Sequence, residues 1–156
     1  MSTSTDLSAA MTRARELAAQ AALDGEVPVA ALILAPEGII AEASNRVECW
    51  QDPLAHAEML ALGLAQRRRR TRYLSDCTLL VTLEPCALCA AAIAAYRLRR
   101  LVFGAYDPKS GGVESGARVL DYSHHQPEVI GGLQERACAA LLQDFFAERR
   151  QSELRE

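Results

Sequence analysis

The sequence predicts an α/β fold, a three-layer α/β/α domain in which a mixed five-stranded sheet carries helices on both faces. Two observations lead there. Segments with helical apolar spacing alternate with short apolar runs in the order α-β-β-α-β-α-β-β-α, and such alternation buries a sheet between helical layers. The chain also has the material for one core, with 156 residues, 50% hydrophobic and 24% charged. No linker, repeat or low-complexity tract divides it. Residues 1–156 therefore read as a single domain with its core over about 6–150 and short flexible ends.

Residues 6–23 place Leu7, Ala10, Met11, Ala14, Leu17, Ala18 and Ala21 at three-to-four spacing. That is a helix which Thr5 or Ser4 can cap and Asp24-Gly25 ends. Residues 28–35 form an apolar run with β-branched Val29 and Ile33; the turn Pro36-Glu37-Gly38 and the run 39–43 complete a hairpin. Residues 55–70 are rich in Ala and Leu after Pro53 and read as a helix. The run 77–83 (CTLLVTL) has a buried-strand pattern, 87–96 is helical, and 101–104 is a short strand. Residues 105–126 read as a Gly/Ser-rich loop, Val129-Ile130 as a short strand, and 133–150 as the last helix.

Charge and cysteine content exclude some functions. Seventeen basic against twenty acidic residues give a net charge of −3, with sixteen arginines and one lysine, Lys109. A uniformly basic nucleic-acid binder is excluded, whereas a local patch such as Arg67–Arg70 or Arg97-Arg99-Arg100 is not. No run approaches the roughly 18 uncharged apolar residues of a membrane span. The polar start lacks a signal-peptide layout, so a cytoplasmic location is expected. Five cysteines, an odd number, turn attention from disulfides to metal or catalytic use.

Two segments carry chemistry: His56-Ala57-Glu58 and Pro85-Cys86-Ala87-Leu88-Cys89. Each falls where a helix begins. Cys86 and Cys89, three apart, share a helix face, and a helix N-terminus favours the thiolates a metal needs. Two thiolates and an imidazole suit Zn²⁺ and leave a fourth tetrahedral position for water. Glu58 lies about 200° around the helix from His56, so it meets that water rather than the same metal, and can move its proton. A chance H-x-E is common, but a P-C-x-x-C occurs on the order of once in several hundred chains of average composition. Two other readings of the cysteine pair stay open, a redox pair or a closed zinc knuckle drawing on Cys49, Cys77, Cys138, His124 or His125.

H-x-E…P-C-x-x-C is the zinc deaminase signature. Glu26-Val27-Pro28-Val29, Asn45-Arg46, and residues 52–58, 78–89 (TLLVTLEPCALC), 101–111 (LVFGAYDPKSG) and 138–150 (CAALLQDFFAERR) extend the match. Over about residues 7–150 the chain resembles the bacterial tRNA-specific adenosine deaminases of the cytidine/deoxycytidylate deaminase superfamily. The resemblance implies a cytidine-deaminase-like fold and the hydrolysis of adenosine to inosine at the wobble position of tRNA, with release of ammonia. It implies one Zn²⁺ per subunit on His56, Cys86 and Cys89, with Glu58 as proton shuttle. It further implies Asn45 bonded to the target base, Asp107 and Lys109 beside the RNA, an anticodon stem-loop as partner, and a homodimer. Ala30 stands where the family usually has Gly, and the chain ends in Ser152-Glu153-Leu154-Arg155-Glu156 instead of a Lys-rich tail. With a pI near 5.7, these departures keep deamination of a free nucleobase or nucleoside of the guanine or cytosine type in view as the alternative.

The remaining candidates have plainer readings. Arg67–Arg70 suits a solvated helix C-terminus. Adjacent Phe145 and Phe146 place at least one ring inward. Trp50 covers the core edge, and Cys49, Cys77 and Cys138 are expected to be buried, inert thiols.

Overall fold

The computed structural model describes residues 4–156, with side chains from Leu7 onward. The capping side chains proposed at Ser4 and Thr5 lie outside the described ones, and the first helix, α1, already begins at Ser4. The elements follow the expected order: α1 (Ser4–Leu23), β1 (Ala30–Ala35), β2 (Gly38–Ser44), α2 (Val47–Trp50), α3 (Ala57–Arg69), β3 (Thr78–Leu83), α4 (Ala87–Ala95), β4 (Arg100–Ala105), β5 (Glu128–Ile130) and α5 (Glu135–Arg155). Short α2 and a 3-10 turn at Val119–Tyr122 add to the expected set.

The five strands form one mixed sheet in the order β2-β1-β3-β4-β5. β1 is antiparallel to both β2 and β3, while β3, β4 and β5 run parallel. On β2, Ile40 is an extra residue between the pairs Ile33–Ala41 and Leu34–Ile39, a β-bulge. Alternation along the central strands sends side chains to opposite faces. Ala31 and Ile33, Leu79 and Val81, Leu101 and Phe103 meet Ala61, Leu62 and Ala65 of α3 and Ala90 and Ile93 of α4. Leu32 and Leu34, Leu80 and Val102 meet Met11 and Ala14 of α1 and Cys138 of α5 on the other face. The three-layer expectation is thereby met, with α1 and α5 on one side and α3 and α4 on the other. Ala30 is fully buried in the sheet, its N–H donating to Thr82 Oγ1 at 3.2 Å.

Two details differ from the expectation. α5 runs to Arg155, and its 21 residues reach about 32 Å, well beyond the six-residue strand beneath it. Its second half therefore overhangs the sheet. Phe145 is only half-buried and Phe146 is exposed, the two rings meeting edge to face 5.3 Å apart, so neither enters the core. The Arg67–Arg70 run serves the scaffold in part: Arg69 pairs with Glu37 and Asp76, and Arg68 donates to the Ile40 carbonyl.

α5 approaches β4 at Gly104, where an added Cβ would sit 2.4 Å from Cys138 Sγ and 2.8 Å from the Thr82 carbonyl oxygen. Gly104→Ala should lower stability by about 1–3 kcal/mol, through overpacking between rigid neighbours. Urea unfolding with an unchanged midpoint would show that this contact relaxes freely.

Candidate metal centre and active-site pocket

The site lies where α3 and α4, neighbours on one face of the sheet, begin. His56 is the N-cap of α3 and Cys86 the N-cap of α4, both in extended backbone, with Cys89 one turn inside α4. Two helix N-termini thus aim their positive ends at one point. His56 Nδ1 lies 3.4 Å from Cys89 Sγ and 3.7 Å from Cys86 Sγ. A tetrahedral zinc with Zn–S of about 2.3 Å and Zn–N of about 2.0 Å separates sulfur from nitrogen by about 3.5 Å. The observed separations bracket that value, and the three ligand atoms lie within 4.8 Å of one another, so these residues fit a zinc ion. Among the described residues no other group of three metal-binding side chains converges. Neither Cys49, Cys77, Cys138 nor the His124-His125 pair supplies the fourth ligand of a closed knuckle.

The thiols show what a metal would replace. A hydrogen bond from Cys89, helped by its backbone N–H and by His56, pulls the Cys86 thiol down to about 5 against the opposing effect of burial. Cys89 is raised, chiefly because it supplies the hydrogen that Cys86 accepts. A divalent cation bound there would favour the ionised form of both thiols.

Glu58, in the first turn of α3, is 5% exposed and lines a cleft of about 260 Å³ with His56, Cys86, Asn45 and Asp107. Burial pushes its carboxyl up to about 7; its own backbone N–H and His56 pull the other way, and Cys86 adds to the rise. A carboxyl titrating there accepts and returns a proton near neutral pH. Asn45 Oδ1 accepts the Ala57 N–H at 2.8 Å, which fixes the amide and leaves Nδ2 as a donor at the cleft. Asp107 also lines the cleft, but its Oδ1 accepts the N–H groups of Lys109 and Ser110 and shapes the turn. Lys109 is exposed and does not line the cleft.

Two residues read in the sequence only as part of the family match, without a role in the site, frame this cleft. Glu26, fully buried, accepts the Glu48 and Cys49 N–H groups at 3.0 and 2.7 Å and so caps α2. Glu84, also buried, accepts several N–H groups from residues 107–115. Burial alone would raise Glu84, yet those donors hold it below its ordinary range. The readable signal was a glutamate closing an apolar strand, with Gly111-Gly112 downstream. Cys49 corrects the expectation of a buried thiol, since it is exposed, whereas Cys77 and Cys138 are buried. Trp50, 57% exposed, lines a separate cavity with Leu60 and Leu64 instead of covering the core edge.

The model for the cytidine and deoxycytidylate deaminase zinc-binding region matches residues 4–105, which include all three candidate ligands and Glu58. The chain belongs to the cytidine and deoxycytidylate deaminase family, whose members are zinc-binding hydrolytic deaminases. Within that family it is 43% identical over 127 residues to the tRNA-specific adenosine deaminase of Agrobacterium fabrum, covering 80% of this chain and 84% of the relative. A solved structure from work on A-to-I editing by tRNA:A34 deaminases at the wobble position superimposes with a TM-score of 0.82 at 41% identity, over 85% of this chain and 97% of that one. The guanine deaminase of Nitrosomonas europaea gives a TM-score of 0.80 at 28% identity, over 90% and 84%.

Burial raises Glu58, so the folded state holds its proton more tightly than the unfolded chain does. Ionisation then opposes folding as pH rises from about 4.5 through about 7. Zinc-free wild type should lose stability relative to Glu58→Gln across that interval, by about 3 kcal/mol at its upper end; parallel stability curves would refute the assignment. Alkylation at pH 8 of the same zinc-free protein should label Cys86 and exposed Cys49. Cys77 and Cys138, which burial pushes up to about 12 and about 11, should resist, and added zinc should protect Cys86.

Proposed function

We propose that this protein hydrolyses adenosine to inosine at the wobble position of a tRNA anticodon, releasing ammonia, in the cytoplasm. The observation that carries the chemistry is the placement of Glu58 in one cleft with three side chains spaced for a metal. His56, Cys86 and Cys89 would hold the ion. Zinc, when bound, supplies the Lewis acidity that makes water acidic enough to yield hydroxide near neutral pH. Of the three buried carboxylates at the cleft, Glu26 is occupied by N–H groups of α2 and Glu84 by those of the segment after β4, which leaves Glu58 for proton transfer. Glu58 takes a proton from the attacking water and returns it to the departing amine, so that C6 exchanges nitrogen for oxygen and ammonia leaves. Asn45 Nδ2 offers a hydrogen bond to an acceptor on the base.

The substrate class rests on the relatives: among solved structures, 41% identity to one from work on tRNA:A34 deaminases against 28% and 34% to two guanine deaminases. Asp107 and Lys109, on the loop after β4, would stand beside the RNA. A cleft of about 260 Å³ admits one base, so the target nucleotide must leave its stack. A homodimer is supported by the exposed apolar side chains of Trp50, Leu54, Leu64 and Leu88 around α2, α3 and the start of α4.

Zinc-loaded protein incubated with an anticodon stem-loop carrying a wobble adenosine should form inosine. Parallel reactions with free guanine, cytosine and adenosine should be silent. Glu58→Ala should abolish turnover with zinc content near wild type, and Cys86→Ala or Cys89→Ala should lose both. Turnover of a free base alone would keep the chemistry and overturn the substrate.

A further inference from the structure

Glu84 follows β3 directly and precedes Pro85 and the proposed ligand Cys86, yet its side chain faces residues 107–115. Its Oε1 accepts the Asp107 N–H at 3.0 Å and the Ser115 Oγ–H at 2.8 Å. Its Oε2 accepts the N–H groups of Val113, Glu114 and Ser115 at 3.2, 2.9 and 2.8 Å. Five donors meet about four lone-pair sites, so the carboxylate is saturated. Resting on the tRNA reading above, we infer that Glu84 is a positioning residue, whose carboxylate fastens the 107–115 segment against the start of α4 and thereby sets the wall of the substrate cleft.

The backbone supports the same fastening. The Gly112 N–H donates to the Pro85 carbonyl at 2.8 Å, and Gly111 bridges to Cys86. An added Cβ at Gly111 would lie 2.6 Å from Glu84 Cδ and 2.5 Å from the Asp107 carbonyl oxygen. At Gly112 it would lie 2.6 Å from the Ala87 nitrogen. Only a chain stripped of side chains there can approach both the carboxylate and the helix start. Asp107 and Ser110, on this segment, line the same cleft as His56, Glu58 and Cys86. The ligands stand on α3 and α4, which the sheet supports separately. Loosening the segment therefore displaces the substrate wall more than the metal set, whose residues are held chiefly by α3 and α4.

Glutamine at position 84 has the volume of glutamate, but its NH₂ confronts N–H donors that need an acceptor. Glu84→Gln should speed amide hydrogen exchange at Asp107 and residues 113–115 at least about tenfold, with the α4 amides unchanged and zinc bound at the wild-type ratio. With the anticodon stem-loop, KM should rise about tenfold, the size of a lost charged hydrogen bond, while kcat falls far less. Gly111→Ala, which crowds the carboxylate without altering it, and Ser115→Ala, which removes a single hydroxyl donor, should shift KM in the same direction. Unchanged exchange over 107–115, faster exchange spread through α4, or a wild-type KM in both Gly111→Ala and Ser115→Ala would overturn the inference. If wild type acts on a free base and not on the stem-loop, the tRNA reading fails by itself. The exchange data, with KM for that base, then still decide the role of Glu84.

Discussion

Burying a carboxylate without partners costs several kcal/mol, and three glutamates are buried around one cleft here. The rest of the site follows from how each is accommodated. Glu26 takes two N–H groups of α2, and Glu84 takes four from the segment after β4. In each case a short stretch with its own unpaired donors is folded around an acceptor set close to the end of a central strand. Glu58 has no such loop and accommodates its burial by holding a proton near neutral pH. The same cost thus produces two structural anchors and one group of variable charge.

The second organising element is the arrangement of α3 and α4. Both pack on the same face through small residues, chiefly alanines, which lets the helices lie close to the sheet. His56 and Cys86 occupy their N-caps and leave no side-chain cap bonds of the usual kind. The first turns therefore keep donors and positive dipole ends turned toward the thiolates. Pro85 sets the extended approach into α4, and the Asn45 amide oxygen takes the first free N–H of α3.

Much of this was legible in the sequence. The ligand spacing places Cys86 and Cys89 on one helix face, and the alternation of short apolar runs with helical segments requires a covered sheet. Other parts were hidden for identifiable reasons. α2 is four residues long, too short for periodicity, and stands because Glu26 caps it from 22 residues away. Residues 105–126 read as loop, and apart from Ala105 in β4 and the 3-10 turn at Val119–Tyr122 they are irregular, but the 107–115 part is ordered by a carboxylate more than 20 residues earlier. The adjacency argument for Phe145 and Phe146 assumed a surface to pack on, and α5 has already left the sheet there. Exposed Cys49 follows from the same unseen α2, which turns the segment outward while its N–H points in.

The bulge at Ile40 bears on how copies of this chain can meet. β2 forms one margin of the sheet and β5, three residues long, the other. An extra residue bends and twists β2, and the opposite margin offers almost no ladder. Neither margin is a template for another strand, so fibre-like growth by sheet extension is blocked at both ends. Any contact between copies is thereby left to side chains on the helical layers, where closed symmetric contacts are possible.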